Sequence, residues 1–188
     1  MTTLVLALRI VTLAVPAALM LLKPKREQKA LAREGSSDRA PVLANIAAFG
    51  LFFASLVAFA GDREGQAASL LAAAGCLLAV AGIARVLRSR VVLGPAWSLV
   101  PAADGNRGFV TTGPYRLVRH PIYLGFCLVA TGQALAFGSW PALLVLLFGI
   151  VPTFAWRAHA EEQLLGHVFG ERYALYRTRT SMIIPYLL

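Results

Sequence analysis

Five apolar stretches constrain the fold of this 188-residue chain more than any other feature of its sequence. They cover residues 3–22, 42–60, 67–87, 121–137 and 141–156. The first three are long enough to cross about 30 Å of hydrocarbon as α-helices. Hydrophobic residues make up 58% of the chain and charged residues only 14%, unlike soluble domains. The sequence therefore predicts an all-α, polytopic integral membrane protein, with about five transmembrane helices and a C-terminal amphipathic helix.

The last two apolar stretches are predicted to form a tight helical hairpin, because only Gly138, Ser139 and Trp140 with Pro141 separate them. Two antiparallel legs of similar length return the chain to one level. Residues on either side of the hairpin, such as His120 and Glu161, are therefore expected to be neighbours.

Charge placement indicates how the chain crosses the membrane, because Lys and Arg in short loops tend to stay cytoplasmic. The loops at 23–41 and 88–120 and the tail from 157 are basic, whereas 61–66 and 138–140 carry few or no basic residues. Five spans, with the N-terminus outside and the C-terminus in the cytoplasm, fit this alternation. The net charge of +9 is attributed to clusters that attract anionic lipid headgroups, and no nucleic-acid partner is expected.

Residues 3–22 are interpreted as a span and not as a cleaved signal peptide, because basic residues follow them and no small-residue cleavage site ends them. The composition favours a bacterial inner membrane. Cys76 and Cys127 lie within spans and are expected to pack as small apolar residues. Arg85 lies near the cytoplasmic end of its span and is expected to snorkel to the interface, whereas Arg9 has no explanation beyond proximity to the outer face.

The tail after Arg157 is predicted to be an amphipathic helix, because its apolar residues recur at three- and four-residue spacings. One stripe of that helix carries a carboxylate, a glycine gap and three aromatic rings. The stripe consists of Glu162, Gly166, Phe169, Tyr173 and Tyr176. Such a stripe can line a pocket.

Three segments together resemble the isoprenylcysteine carboxyl methyltransferases and their bacterial relatives, which share a sequence pattern with phospholipid N-methyltransferases. The segments are "LGPAWS" at 93–98, "TTGPYRLVRHPIYLG" at 111–125 and "EEQLLGHVFGERYALYRTRTSMIIP" at 161–185. The combination of RHPxY with EExxL, FGxxYxxY and a final Ile-Pro is specific. The resemblance implies a single membrane methyltransferase domain over 1–188, with three N-terminal spans in 1–90 and the cofactor-binding half in 91–188.

The resemblance also implies S-adenosyl-L-methionine as the cofactor, entering from the cytoplasm and leaving as S-adenosyl-L-homocysteine, while a lipophilic substrate enters from the bilayer. Arg119 is suited to the cofactor carboxylate as a planar bidentate donor. By similarity, Glu162 with Glu161 beside it lies where the ribose hydroxyls or the ammonium would sit, and aromatic rings would face the adenine or the sulfonium. The expected cofactor-binding residues are Tyr115, Arg119, His120, Tyr123, Glu161, Glu162 and Tyr173.

The expected catalytic residues are Glu162, Arg179 and Arg119, and the favoured reaction is carboxyl O-methylation of an isoprenylcysteine-like or other lipid-like carboxylate. By analogy with the family's tail motif, Arg179 would pair with the substrate carboxylate. A carboxylate is already anionic near neutral pH and needs no general base, whereas an amine or thiol acceptor would have to lose a proton.

Several alternatives remain open at the level of sequence. A phospholipid or small-amine or thiol methyltransferase is possible, although no Gly-x-Gly element precedes the glutamate pair. A nicotinamide-dependent reductase resembling the sterol reductases is less favoured, because Ile122 stands where they typically have Asn. A non-enzymatic membrane scaffold that binds lipid headgroups is the third alternative. The oligomeric state is left open.

Purely structural or surface roles are also open for the residues named above. Glu161 could lie on a solvated face or pair with Arg157 four residues earlier, and Arg119 could merely anchor the interface. The three histidines and a glutamate permit a metal hypothesis, but no repeated ligand motif supports it, and no metal is expected. The residues of that hypothesis are His120, His159, Glu162 and His167.

Overall fold

The computed structural model describes residue 10 and residues 40–61, 65–94 and 109–185, and this part of the chain is built from helices. Five helices follow one another in the order α1 to α5. They are α1 (Ala40–Ala58), α2 (Gln66–Leu93), α3 (Pro121–Phe137), α4 (Trp140–Phe169) and α5 (Glu171–Arg177). A short 3₁₀ turn, Gly113–Arg116, precedes α3.

Three of these helices, α1, α2 and α4, are long and apolar enough to cross a membrane, and α3 is a shorter apolar helix of 17 residues. Large apolar side chains such as Val57, Leu77 and Phe148 point outward, each at least 70% exposed, as they do in a protein surrounded by lipid. The prediction of a mostly helical integral membrane protein is confirmed. Apart from residue 10, the predicted span at 3–22, with Arg9, lies outside the described residues, as does most of the 93–98 segment.

Helices α2 and α3 pack against each other with their backbones nearly in contact. A β-carbon added at Gly75 would lie 2.6 Å from the carbonyl oxygen of Gly132, and one added at Gly82 would lie 2.7 Å from the carbonyl oxygen of Gly125. Small residues permit this approach, and close backbone packing is a main source of helix association in lipid. Cys76 and Cys127 both lie within these helices, without a disulfide between them.

The predicted hairpin between α3 and α4 is confirmed, and its turn is only two residues long. Gly138 ends α3 with φ of +65°, a left-handed conformation that glycine adopts without a steric cost. Ser139 then donates a hydrogen bond from its hydroxyl to the carbonyl of Ser55 at 3.0 Å, which ties the turn to α1. Trp140 begins α4 and is 64% exposed, consistent with an interface anchor.

Helix α4 differs from the prediction, because the fifth span and the helix expected after Arg157 form one helix of 30 residues. The helix runs without a break from Pro141 to Phe169. Pro152, which has no backbone N–H to donate, comes just after a wide π turn at Leu146–Ile150. The break comes at Gly170, where φ is +53°. The predicted tail helix is therefore the end of α4 followed by the short α5.

The hydrophobic core lies between α1, α3 and α4. Phe49, Phe126 and Phe154 meet edge-on or stacked, with ring centroids 5.8–6.3 Å apart. One polar contact crosses this core, where Asn45 on α1 donates to the hydroxyl of Thr153 on α4 at 3.0 Å. These contacts fix α4 against the other two helices.

The tail after α5 returns to the start of α3 and binds to it through the main chain. The backbone N–H groups of Arg119 and His120 donate to the carbonyls of Ser181 and Met182, each at 2.9 Å, next to a bridge between Val118 and Ser181. Met182 and Ile183 are buried in the same core cluster as Tyr123 and Phe154. The segment RHP is therefore held between the tail and the end of α4.

Candidate functional site

The candidate site lies where the two legs of the hairpin come back to one level. His120 precedes α3, and Glu161 and Glu162 lie in the last part of α4. The Nδ1 atom of His120 is 3.3 Å from Oε2 of Glu161, and its Nε2 atom is 3.4 Å from Oε1 of Glu162. The expectation that His120 and Glu161 are neighbours is confirmed.

Glu161 is held by three side chains and does not lie on a solvated face. Its Oε1 atom accepts a hydrogen bond from the hydroxyl of Tyr123 and another from Nε of Arg157 at 3.4 Å. The Arg157 guanidinium also lies 5.7 Å from the centre of the Tyr123 ring. The pairing of Glu161 with Arg157, one turn earlier in α4, is thus observed, and the alternative of a solvated Glu161 is wrong.

Glu162 connects the start of α3 to the tail. Its Oε1 atom accepts a hydrogen bond from Nε of Arg119 at 2.6 Å, and its Oε2 atom lies 3.3 Å from Nε of Arg177. Arg119 also donates from Nη1 to the carbonyls of Thr180 and of Arg177. Because the Arg119 side chain is only 9% exposed, it is not a snorkelling interface anchor.

The ring of Tyr123 is stacked between two other rings. Its centroid is 5.3 Å from the His120 ring, with planes 2° apart, and 4.7 Å from the Phe154 ring. The stack orients the imidazole so that both of its nitrogens face the two glutamates. Tyr123 is therefore part of the support of His120 as well as a ligand of Glu161.

Four aromatic rings form a second cluster beside Glu162. Phe109 contacts Phe169, Tyr173 and Tyr176, with centroids 5.1, 5.4 and 5.5 Å away. The predicted aromatic stripe therefore converges, but on two helices separated at Gly170 and around Phe109, which was not predicted. Tyr173 is 2% exposed, and its hydroxyl makes no hydrogen bond in the described part of the structure.

Tyr115 is buried and already engaged at both ends. Its hydroxyl lies 3.4 Å from the carbonyl of Ser89 on α2, and its own carbonyl accepts a hydrogen bond from Tyr176 at 2.6 Å. These contacts tie the 3₁₀ turn to α2 and to α5. They give Tyr115 a structural role beside the one expected from the resemblance.

The electrostatics of the site favour a protonated histidine. Burial lowers the pKa of His120, but hydrogen bonding to Glu161 and Glu162 and their negative charges outweigh it, so the pKa of His120 is raised overall. Burial, with Glu161 as a smaller cause, raises the pKa of Tyr115, and burial raises the pKa of Tyr176 to about 12. The tyrosines are therefore neutral hydrogen-bonding groups at physiological pH.

Arg179 is the predicted site residue that stands apart. Its side chain is exposed, and it makes no ion pair or side-chain hydrogen bond with the residues described. The predicted pairing of Arg179 with a substrate carboxylate stays a prediction.

Of the four residues of the metal hypothesis, His120 and Glu162 meet, but His159 does not join them. His159 is exposed and lines a groove with Trp156 and Gln163 on the other face of α4. Within the described ranges, no group of three or more His, Cys, Asp or Glu side chains is placed to hold a metal ion.

Three contributors were missed or undervalued from sequence. Arg177 lies beside Glu162, although only Arg179 of "YRTRT" was singled out. A usable signal was spacing, since Arg177 follows Tyr173 by four residues, one helical turn. Phe109 and Thr180 lie in irregular segments, where no periodicity marks them.

The arrangement can bind a small molecule that carries both signs of charge. It combines two carboxylates with cationic groups from three separate segments, next to aromatic rings. Within this cluster, the buried hydroxyl of Tyr173 has no hydrogen-bond partner among the described residues, and Nε2 of His120 faces only Oε1 of Glu162, at 3.4 Å. Buried polar atoms without partners are rare and often mark a ligand.

The fold and the site define a helical integral membrane protein with a buried charged cluster at the open end of a membrane hairpin. Residues 70–172, more than half of the chain, match the phospholipid methyltransferase family. This chain belongs to that family.

Two curated relatives illustrate the range of named activities. The chain is 32% identical over 107 residues to protein-S-isoprenylcysteine O-methyltransferase of Schizosaccharomyces pombe, a match that covers 55% of this chain and 45% of that protein. It is 40% identical over 83 residues to methanethiol S-methyltransferase 1 of Bradyrhizobium diazoefficiens, covering 42% and 26%. The chain spans about half the length, or less, of the curated relatives it matches.

A solved structure shares the fold. The structure of a eukaryotic intramembrane Ras methyltransferase, an isoprenylcysteine carboxyl methyltransferase, superposes with a TM-score of 0.55 at 19% sequence identity. The superposition covers 82% of this chain and 55% of that one. The resemblance in fold stated from the sequence is therefore confirmed.

Proposed function

We propose that this protein is an S-adenosyl-L-methionine-dependent methyltransferase of the membrane that acts on a lipophilic substrate. The observation that carries the proposal is the buried cluster of His120, Glu161 and Glu162 with two arginines at the open end of the α3–α4 hairpin. Membership of the phospholipid methyltransferase family supports it.

The donors and acceptors of the cluster fit this cofactor, which carries a carboxylate, an ammonium, ribose hydroxyls and a sulfonium. When bound, the cofactor supplies an electrophilic methyl carbon on its sulfur. Arg119 is proposed to bind the cofactor carboxylate, and Glu161 and Glu162 to bind the ammonium or the ribose hydroxyls. The buried hydroxyl of Tyr173, which has no partner among the described residues, is available for a further hydrogen bond. Tyr115 and Tyr123 complete the expected pocket.

The favoured reaction is carboxyl O-methylation of an isoprenylcysteine-like or other lipid-like carboxylate. Both glutamates already accept hydrogen bonds from cationic side chains, so neither is free to act as a strong general base. Such a site suits an acceptor that is already anionic and needs only alignment and exclusion of water. Arg179 is proposed to pair with the acceptor carboxylate, and its exposure leaves it accessible.

Thiol S-methylation is the second candidate, and a specific observation favours it. The two relatives named methanethiol S-methyltransferase from Bradyrhizobium diazoefficiens and Pseudomonas deceptionensis are 40% and 33% identical to this chain over their matched regions. A thiol acceptor has a pKa of about 8.5 and reacts as the thiolate, so its methylation would accelerate with pH. A carboxylate acceptor would show no such dependence above about pH 6, because it is already ionised.

The proposal includes the placement of the protein. We propose one membrane domain over 1–188 in a bacterial inner membrane, with the N-terminus outside and the cofactor site facing the cytoplasm. The cofactor would enter from the aqueous side, and the substrate from the bilayer between helices.

Calorimetry with S-adenosyl-L-homocysteine tests the cofactor. The purified full chain is expected to bind it, and Glu162→Gln and His120→Ala are expected to weaken binding by at least about tenfold, the equivalent of one charge-assisted hydrogen bond. Glu171→Gln is the matched control, because Glu171 is an exposed glutamate in α5. Absence of binding by the intact, folded protein would contradict the proposal and favour the membrane scaffold.

Transfer of a radiolabelled methyl group tests the acceptor. The protein would be incubated with total membrane lipid, with a prenylcysteine analogue and with a small thiol in parallel. Label that is released by base indicates an ester, and label that resists base indicates a thioether or an amine. Incorporation into the thiol alone would replace the carboxyl reaction by the second candidate.

A further inference from the structure

Arg85 is a charged residue inside a membrane-spanning helix and lies outside the cluster described above. It lies eight residues before the end of α2 at Leu93, which places its backbone about 12 Å inside the helix end at about 1.5 Å per residue. The helix continues for six residues beyond the end at residue 87 predicted from the sequence. Ionisable residues in a spanning helix are uncommon and usually have a functional partner.

The guanidinium of Arg85 is covered but not satisfied. Its Nε and Nη2 atoms are buried and make no hydrogen bond with any described residue, whereas the side chain as a whole is partly exposed. Snorkelling of Arg85 to the interface stays a prediction. The hydroxyl of Ser89 donates to the backbone carbonyl of Arg85 and makes no hydrogen bond with Nε or Nη2 of its side chain.

None of the acidic side chains that the structure describes pairs with Arg85, and one of them, Glu171, is exposed on α5. Glu161 and Glu162 lie on α4 and pair with residues of that helix, of the α3 start and of the tail. Covered guanidinium nitrogens without a partner are costly, so the partner of Arg85 is expected to be a bound anion.

The backbone around Arg85 is fixed, which makes it suitable for a binding site. A β-carbon added at Gly125 would lie 2.6 Å from Cγ2 of Val86, and one added at Gly82 would lie 2.8 Å from the backbone nitrogen of Val129. Helix α2 cannot slide or rotate along α3 without clashes at these positions. The backbone of Arg85 is therefore held at a fixed position along the α2–α3 contact.

We propose that Arg85 binds the anionic head of an amphiphile that enters from the bilayer. A planar guanidinium matches the two oxygens of a carboxylate or phosphate, and the position of Arg85 on a membrane-spanning helix lets the rest of an amphiphile lie among hydrocarbon chains. The anion can come from a phospholipid or from a lipophilic acid, since the head-group chemistry is shared. This site does not depend on the methyltransferase proposal.

Native mass spectrometry of the full chain, delipidated in neutral detergent, tests the site. Four probes are titrated: phosphatidylglycerol, phosphatidylcholine, a long-chain fatty acid and the methyl ester of that acid. The wild type is expected to retain the anionic member of at least one pair in preference to its partner without net charge. Preference for phosphatidylglycerol identifies a phospholipid, and preference for the free acid identifies a lipophilic acid.

Arg85→Gln is expected to weaken retention of the preferred anion by at least about tenfold, and Arg85→Lys to weaken it less, since the charge remains but the fork is lost. Arg88→Gln is the matched control, because it removes the same charge from an exposed position on the same helix. If Arg85→Gln does not fold, the comparison of Arg85→Lys with the wild type decides. Equal retention of charged and uncharged probes, or an equal loss in the Arg88 variant, would overturn the proposal.

Discussion

Arg119 and Glu162 form an ion pair of 2.6 Å in which the two side chains are 9% and 6% exposed. The pair joins the residue before His120 to the end of α4, and Arg119 continues to the carbonyls of Arg177 and Thr180. One guanidinium therefore holds together three segments that are distant in sequence.

Removal of either partner of this pair is predicted to destabilise the protein. Arg119→Gln or Glu162→Gln leaves a buried charge without compensation, which typically costs about 3–5 kcal/mol. The double variant is expected to lose less free energy of unfolding than the two single variants lose together, because no unpaired charge remains. Reversible unfolding in mixed detergent measures the four free energies of unfolding, and strict additivity would contradict the pairing.

Stability is predicted to fall as pH rises through the folded-state pKa of His120. The pKa of His120 is raised above its ordinary value of about 6.5 by Glu161 and Glu162, so the folded protein binds the proton more tightly than the unfolded chain. The stabilisation is fully present below about pH 6.5 and is lost above the folded-state pKa. The charged groups that face the imidazole are these two glutamates, whose own partners include Arg119 and Arg157.

The measurement for this prediction is the melting temperature from pH 5.5 to 9 in the wild type and in His120→Gln, a range chosen to bracket about pH 6.5. The wild type is expected to lose stability over the alkaline part of that range, and the variant to vary less. A wild-type melting temperature that rises with pH where the variant does not would contradict the assigned direction.

The hydroxyl of Tyr173 is predicted to bind a ligand and not to stabilise the fold. Because it is buried without a partner in the described structure, Tyr173→Phe is expected to leave stability unchanged or to raise it by up to about 1 kcal/mol. The same change is expected to weaken binding of S-adenosyl-L-homocysteine. Tyr176→Phe is the comparison, since it removes a 2.6 Å hydrogen bond to the Tyr115 carbonyl and should lower stability. Unchanged ligand affinity in folded Tyr173→Phe would refute the assignment.

The contact between α2 and α3 is predicted to tolerate no added methyl group at its closest points. Gly75→Ala places a β-carbon 2.6 Å from backbone atoms of Gly132 and Ala136, and overpacking of this kind costs about 1–3 kcal/mol. Gly50→Ala, in α1, meets nothing within 4 Å and should stabilise its helix by about 0.5–1 kcal/mol. Unfolding of both variants in mixed detergent checks the contrast, and equal effects would show that α2 and α3 are not so close.

The closeness of His120 and Glu161 was predictable from sequence, because it depends only on the lengths of the two hairpin helices. Two apolar legs of similar length with a turn between them must bring His120 near Glu161, whatever the details of packing. The RHPxY and EExxL segments were therefore placed together correctly, 3.3 Å apart at their closest histidine contact. The aromatic stripe followed from helical periodicity, although Gly170 divides it between two helices.

The pairing within the site was not predictable, because periodicity says nothing about which charge finds which partner. From the sequence, Glu161 could either face solvent or pair with Arg157. In the structure it also contacts Tyr123 and His120. Arg177 was missed in favour of Arg179, since both lie in one short basic run, and only the fold of the tail decides which one turns inward. That tail is held by main-chain hydrogen bonds, which leave no side-chain pattern.

The wide turn at Leu146–Ile150 has a consequence for every residue that follows it in α4. A π turn inserts one residue into the helical count, and each residue corresponds to about 100° of rotation at 3.6 residues per turn. Loss of a single residue there would return the turn to α-helical geometry and leave the residues beyond it in phase. Loss of a residue elsewhere in α4 would instead rotate Glu161 and Glu162 by about 100° toward new neighbours, so a one-residue gap in an alignment of related chains belongs at this turn.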